Sequence, residues 1–425
     1  MDKETAFVWD ASGIKFGSGA TREVGQDMKR LGAHRVLVVT DPGLADGEPV
    51  HVTLQALRAA SIDAVLFDRV RIEPTDISFR EAIEFASDGG FDGFVAVGGG
   101  STMDTAKVAN LYTTHPADLM AYVNPPIGEG RLVPGPLKPL IAIPTTAGTG
   151  SETTGVAIFD LTTMHAKTGI SHRLLCPVLG IVDPLNTLSL PPMVTACTGW
   201  DVLCHALESF TALPYAQRPA PADPGLRPAY QGANPISDVW AERAIQMVGQ
   251  NIVRVLEEPT DVEARGQMAL AASFAGIGFG NAGVHLAHGM SYPVSGMVRD
   301  YRPDGYPPNH PIVPHGMAVT LTAPAVFRFT APANAARHLY AAQLMGVDVS
   351  GAAPEDAGEL LGSAIVDLMR RTGMPNGLSA VGFEAPDVEQ LVAGTLPQHR
   401  VTKLSPRPAN AKDLEKLFLD ALTYW

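Results

Sequence analysis

FDGFVAVGGGSTMDTAKVANLY, Phe91 to Tyr112, is the stretch that sets the fold class of this chain. Its first eight residues form an apolar, β-branched run of strand length that stops at Gly98-Gly99-Gly100. From Ser101 the pattern becomes helical, with Ser101 as an N-cap and Asp104 three residues on, the spacing of a capping box. A strand that turns through glycines into a helix is half of a βαβ unit. Glycines at such a turn let a ligand approach the backbone, where the N–H groups of a helix start attract phosphate.

Working outward, the same alternation recurs. HRVLVVT, His34 to Thr40, reads as a strand that ends at Asp41-Pro42-Gly43, and VTLQALRAA follows it as a helix. AVLFDRV from Ala64 is a strand, ISFREAIEFAS a helix, and PLIAI a strand leading into PTTAGTGSE, Pro144 to Glu152. VLGIVD, Val178 to Asp183, is the last strand. This order predicts a parallel sheet covered by helices, an α/β dinucleotide-binding domain over residues 1–190. The hydroxyls of Thr145, Thr146, Thr149 and Ser151 form a rim suited to ribose and diphosphate, at the carboxyl end of a strand where open sheets bind ligands. A carboxylate at Asp41 can accept from a ribose hydroxyl and disfavours a 2′-phosphate, which favours NAD over NADP. Lys167 is placed within reach of the cofactor.

Pro191-Pro192 blocks both helix and ladder and marks the boundary of an all-helical domain, residues 191–425. Helical periodicity runs through MVTACTGWDVLCHALESFTA and recurs to the final segment, AKDLEKLFLDALTYW. Within TGWDVLCHALE, Thr198 to Glu208, Asp201 and His205 are four apart and leave one helix face, which is half of a metal site. His288 and His315 are candidates for the rest, with His285 and His310 as competitors that spacing alone does not separate. Two Pro-rich excursions, residues 213–236 and 298–316, are longer than ordinary connections.

The chain has 425 residues and a net charge of -13, with no basic stripe for nucleic acid, and an acidic substrate would need local cations. Its three cysteines, Cys176, Cys197 and Cys204, read as reduced thiols. No run of about 18 apolar residues suggests a membrane span. These features, with an N-terminus unlike a targeting segment, lead to the expectation of a cytoplasmic protein.

GGGSTMDTAK, IPTTAGTGSE, VDP, DVLCHALE, HGMSYP and PHG, taken in this order, resemble the iron-dependent alcohol dehydrogenase family over essentially the whole chain. The resemblance implies NAD(P) and a divalent metal, iron ahead of zinc, although N and O ligands accept either. It maps the metal ligands to Asp201, His205, His288 and His315, and the cofactor contacts to Asp41, Gly98, Gly99, Gly100, Ser101, Asp104, Thr145, Thr146, Thr149 and Lys167. Many members carry a second histidine where Tyr292 stands here, so Tyr292, His285 or a water chain is expected to take over proton relay. Both excursions, GVHLAHGMSYPVSG and TLPQHRVTKLSP look like the hydroxyacid-oxoacid transhydrogenase branch. That likeness implies 4-hydroxybutyrate and 2-oxoglutarate as substrates, with the nicotinamide retained between the two half-reactions. Arg218, Arg227, Arg302, Arg400 and Lys403 are available, unranked, for the substrate carboxylate. An ordinary NAD-dependent alcohol dehydrogenase is the alternative, and a lyase resembling dehydroquinate synthase is a more distant one. Helical domains of this size favour a homo-oligomer.

Overall fold

A computed structural model describes residues 2–164, 166–306, 308 and 310–425. Two compact units emerge: Asp10–Ser189, and Leu190–Trp425 joined by the N-terminal segment through Trp9.

The first unit is a six-stranded, wholly parallel sheet. Its strands are β1 (Gly13–Phe16), β2 (Arg35–Val39), β3 (Asp63–Phe67), β4 (Gly93–Gly98), β5 (Leu140–Pro144) and β8 (Leu179–Val182), and their spatial order is β1-β8-β5-β4-β2-β3. The hairpin β6 (Val156–Leu161) and β7 (Ala166–Ser171) stands apart as an antiparallel pair. The helices are α1 (Val24–Arg30), α2 (Glu48–Ala59), α3 (Asp76–Asp88), α4 (Gly100–Thr114) and the short α5 (Leu119–Tyr122).

The period of two sorts each strand's side chains onto two faces. Val36, Val38, Val95, Val97, Ile141 and Ile143 pack with Val24, Met28, Val50 and Leu57 of α1 and α2. Leu37, Val39, Phe94, Ala96 and Ala142 pack with Ala82, Ala86, Met103, Ala106 and Ala109 of α3 and α4. Both faces are therefore apolar, which is why these strands read as continuous hydrophobic runs.

The chain steps outward from β2 to β3, then returns on the other side of β2 to lay down β4 and β5. A topological switch point thus lies at the carboxyl ends of β2 and β4, the place where open sheets leave a crevice for ligands. Asp183, in the VDP motif after β8, is buried and accepts from the N–H groups of Gly19, Thr21 and Leu185 and from the Thr21 hydroxyl. This motif therefore knits the end of β8 to the turn after β1.

The second unit is built from α6 (Pro192–Thr211), α7 (Pro235–Glu257), α8 (Val262–Ala282), α9 (Leu286–Gly296), α10 (His315–Thr330), α11 (Ala335–Leu344), α12 (Ala357–Arg371), α13 (Val388–Thr395), α14 (His399–Thr402) and α15 (Ala411–Asp420). No single helix among the described residues is long and apolar enough to cross a membrane.

One expectation is corrected here. The N-terminal segment, assigned from sequence to the α/β domain, belongs with the helical unit, because the Pro-rich excursion between α6 and α7 holds it. Lys3 bridges Pro219, the Glu4 N–H donates to the Arg218 carbonyl, and Arg227 pairs with Glu4 at 2.9 Å. Gln231 exchanges hydrogen bonds with both backbone groups of Val8.

Candidate functional site

The helical unit brings together the four residues proposed as metal ligands. Asp201 and His205 sit one turn apart in α6, whose Trp200, Val202 and Leu203 are buried around them. His288 lies in the first turn of α9, and His315 is the first residue of α10. One ligand atom from each falls within 4.8 Å of every other. Asp201 Oδ1 is 3.7 Å from His288 Nε2 and 3.8 Å from His315 Nε2, and Asp201 Oδ2 is 3.8 Å from His205 Nδ1. Those separations are too long for hydrogen bonds and suit groups that share a third partner.

The polar accounting points the same way. Asp201 Oδ1, His205 Nδ1 and His288 Nε2 are each buried without a hydrogen-bond partner among the described residues. An orphaned buried polar atom is costly, and three converging on one point fit a divalent cation of N and O preference.

Glycine makes the convergence possible. A Cβ on Gly316 would sit 2.1 Å from the Cys197 carbonyl oxygen and 2.9 Å from Asp201 Cβ, so only glycine lets α10 bring His315 against α6.

Sequence reasoning missed Glu208. It is three residues beyond His205 on the same face of α6 and is fully buried. Its carboxylate accepts from the Ala287 N–H at 2.7 Å and pairs with His288 Nδ1. A carboxylate behind a histidine anchors the Nδ1 proton, which leaves Nε2 as the atom facing Asp201 and free to ligate once its own proton is displaced. Burial opposes the Glu208 charge, but His288 and His285 outweigh it and hold the carboxyl at about 2. Asp201 is likewise held low against burial by His205, His315 and His288. Burial takes His205 down to about 3, with its ring flat on Phe279 at 4.0 Å between centroids. For His288 burial is overcome by Glu208 and Asp201, which raise it to about 9.

His285 does not fit the relay role expected of it. Its ring is fully buried and caps α9: Nδ1 accepts from the Leu286 N–H at 2.8 Å and Nε2 faces the Thr211 hydroxyl at 3.0 Å. Burial holds its pKa at about 4, so it stays neutral. Tyr292, in contrast, lies parallel to the His315 ring at 6.3 Å between centroids and accepts from Arg400 Nη2 at 3.0 Å.

The α/β unit gathers most of the predicted cofactor residues at one edge. Asp41 follows β2, Gly98 ends β4, and Thr145 follows β5 with its N–H on the Gly98 carbonyl. The two loops interlock. A Cβ on Gly100 would lie 2.6 Å from Thr149 Cγ2, and one on Gly98 would lie 2.3 Å from Thr102 Oγ1. Gly98 and Gly100 are thus required by their threonine neighbours as well as by any ligand. Asp41 spends Oδ1 on the Gly43 N–H at 2.9 Å.

Three expectations about this edge change. There is no capping box at Ser101: α4 begins at Gly100 with Gly99 as N-cap and no side-chain cap, and Ser101 Oγ accepts from the Glu73 N–H. Asp104 accepts from Ser151 Oγ at 2.8 Å and from the Ile158 N–H at 2.9 Å, a brace between α4 and β6. Lys167 is buried between Glu73 at 2.5 Å and Asp160 at 3.2 Å, and those carboxylates keep its ammonium charged against burial. Its charge is therefore already matched.

Residues 11–184 match the family described as "Iron-containing alcohol dehydrogenase", and residues 229–422 match "Fe-containing alcohol dehydrogenase family, C-terminal". The chain belongs to the iron-containing alcohol dehydrogenase family. It is accordingly a metal-dependent oxidoreductase of that family, which uses NAD(H) and a divalent metal. The chain is 53% identical over 415 residues to the Bos taurus protein named "Hydroxyacid-oxoacid transhydrogenase, mitochondrial", covering 97% of this chain and 89% of the relative. It is 54% identical over 417 residues to the Xenopus tropicalis protein of the same name, covering 98% and 90%. Among solved structures, "1,3-propanediol oxidoreductase" aligns with a TM-score of 0.86 at 29% identity, over 98% of this chain and 100% of that one. Sulfoacetaldehyde reductase from Bifidobacterium kashiwanohense, "in complex with NAD+", aligns with a TM-score of 0.81 at 26% identity, over 99% of each chain. The expectation of a cytoplasmic protein is overturned, since these curated relatives are named as mitochondrial. Sparse cysteines report a reducing environment, and cytosol and mitochondrial matrix share that property.

Proposed function

We propose that this protein is a hydroxyacid-oxoacid transhydrogenase that oxidises 4-hydroxybutyrate to succinate semialdehyde and reduces 2-oxoglutarate to 2-hydroxyglutarate. The reading is carried by the Asp201, His205, His288 and His315 cluster, in a chain 53% identical to a protein of that name over 97% of its length. The two half-reactions balance: the hydride and proton lost by the hydroxyacid are those gained by the oxoacid.

In this reading the four clustered side chains hold one divalent cation, Fe²⁺ ahead of Zn²⁺, which supplies Lewis acidity toward a substrate oxygen. Glu208 keeps His288 in the ligating tautomer. On the α/β unit, the Gly99–Ser101 turn with Thr145, Thr146 and Thr149 receives the diphosphate of NAD, and the remaining oxygen of Asp41 takes a ribose hydroxyl. Bound there, NAD would supply hydride transfer to both half-reactions. Tyr292 replaces the histidine common in the family, and it is the group beside His315 that can pass a hydroxyl proton. The protein's own work is to orient these groups and keep water from them.

The test is an assay of metal-loaded protein with 4-hydroxybutyrate and 2-oxoglutarate and no added NAD. Equal amounts of succinate semialdehyde and 2-hydroxyglutarate are expected. Turnover that needs free NAD and ignores the oxoacid would identify an ordinary alcohol dehydrogenase instead.

A further inference from the structure

Five cations were available for the acid group of the substrate, and the structure separates them. Arg218 Nη1 donates to the Tyr230 carbonyl at 2.9 Å, and Arg227 is paired with Glu4. Arg302 and Lys403 are exposed to solvent. Arg400 differs from all four. Its Nη2 donates to the Tyr292 hydroxyl at 3.0 Å, and its guanidinium lies over the Tyr230 ring at 5.1 Å. Its Nη1 is covered by protein and makes no hydrogen bond of good geometry among the described residues, although the Tyr292 and Tyr230 side chains support the guanidinium charge.

A guanidinium nitrogen that is buried and unmatched is expensive, and it persists where a ligand completes it. The location is specific, since Tyr292 lies parallel to His315, so the open Nη1 is one side chain removed from the clustered ligands. The local sequence enforces this. A Cβ on Gly289 would come within 2.7 Å of Thr402 Cγ2, so the glycine of HGMSY is what lets α14, which carries Arg400, lie against α9. A planar guanidinium matches a carboxylate, and that matters in a chain of net charge -13 that repels acids at long range.

We propose that Arg400 is the seat for the distal carboxylate of the substrate acid, with Tyr292 as the residue that positions its guanidinium. The proposal rests on the transhydrogenase reading for its substrate and makes Arg400 the residue that separates hydroxyacids from neutral alcohols.

The experiment compares wild type with Arg400→Gln on two substrates of equal length, 4-hydroxybutyrate and butane-1,4-diol. It also measures calorimetric binding of butyrate, which has the carboxylate and no reacting hydroxyl. Arg400→Gln is expected to lower kcat/KM for the acid on the order of 10–100-fold, mainly through KM, the range of a lost charge-assisted hydrogen bond. Butyrate should weaken by the same factor and metal content should stay as in wild type, while diol turnover falls by a clearly smaller factor than acid turnover, since Arg400 also steadies the Tyr292 hydroxyl. Equal losses on acid and diol, or unchanged butyrate binding, would overturn the assignment. Should Arg400→Gln fail to fold, Tyr292→Phe replaces it, with a smaller loss in the same direction expected for butyrate and no loss overturning the claim. If wild type turns over the diol and ignores 4-hydroxybutyrate, the transhydrogenase reading falls. Butyrate binding with and without Arg400 still decides the anchor.

Discussion

Replacing Glu208 with Gln removes one charge and almost no volume, so it isolates what this carboxylate does for the cation site. In the native protein it accepts from His288 Nδ1 and from the Ala287 N–H, both fully buried. A hydrogen bond to a charged group contributes about 1.5–3 kcal/mol, and one between neutral groups about 0.5–1.5. Each contact should therefore weaken by roughly 1–1.5 kcal/mol. The His288 contact is the one coupled to the metal, and its share corresponds to about a tenfold loss of metal affinity. Gln adds a conflict, because one of its two terminal atoms is an N–H₂ facing donors, so up to about 100-fold is expected. The Ala287 share appears as lower thermal stability. Chelator competition at fixed pH gives the first quantity and a melting curve the second. Metal affinity and melting temperature both equal to wild type would refute the role assigned to Glu208.

Gly316→Ala places a Cβ 2.1 Å from the Cys197 carbonyl oxygen, backbone that yields only if helices separate. A loss of about 1–3 kcal/mol or more is expected by denaturation, with metal occupancy falling alongside it. Metal binding should strengthen with pH: His288 without metal holds its proton up to about 9, and a cation must displace that proton. Below pH 9 each unit of acidification should weaken binding about tenfold per displaced proton, measurable by chelator competition across pH. Burial pushes the Cys176 thiol up to about 11 from an ordinary value of 9.0. Its thiolate fraction at pH 8 should be about 100-fold below that of a free thiol, with alkylation correspondingly slow and accelerating toward pH 11.

The strands β2, β3, β4, β5 and β8 were legible because each is sealed on both faces or one and ends in a turn signal. β1 escaped notice, as four residues of mixed polarity carry too little pattern. The hairpin of β6 and β7 was also missed. Among helices, α9 and α10 were obscured by Pro293 and Pro324 in their interiors, where proline ordinarily argues against a helix.

The site divides in the same manner. Asp201 and His205 were visible as a pair because helical spacing is local information, whereas choosing His288 over His285 needed family resemblance before the structure. Glu208 continues the face of Asp201 and His205 at a seventh-residue spacing, so a carboxylate in an otherwise apolar turn was the available signal. Ser151, which donates to Asp104, and Glu73, which pairs with Lys167, are 47 and 94 residues away in sequence, too distant for any local pattern to announce. Gly98 and Gly100 were read as room for a ligand. That they also make room for Thr102 and Thr149 became apparent only once the loops were seen to interlock.

Element-specific anomalous diffraction from crystals of metal-loaded protein tests the central claim most directly. The account predicts a single peak about 2.0–2.2 Å from one atom each of Asp201, His205, His288 and His315, with Glu208 behind His288 and outside ligand distance. A peak bound instead by Glu208 and His285, or none at the cluster in protein that carries out the reaction, would contradict it.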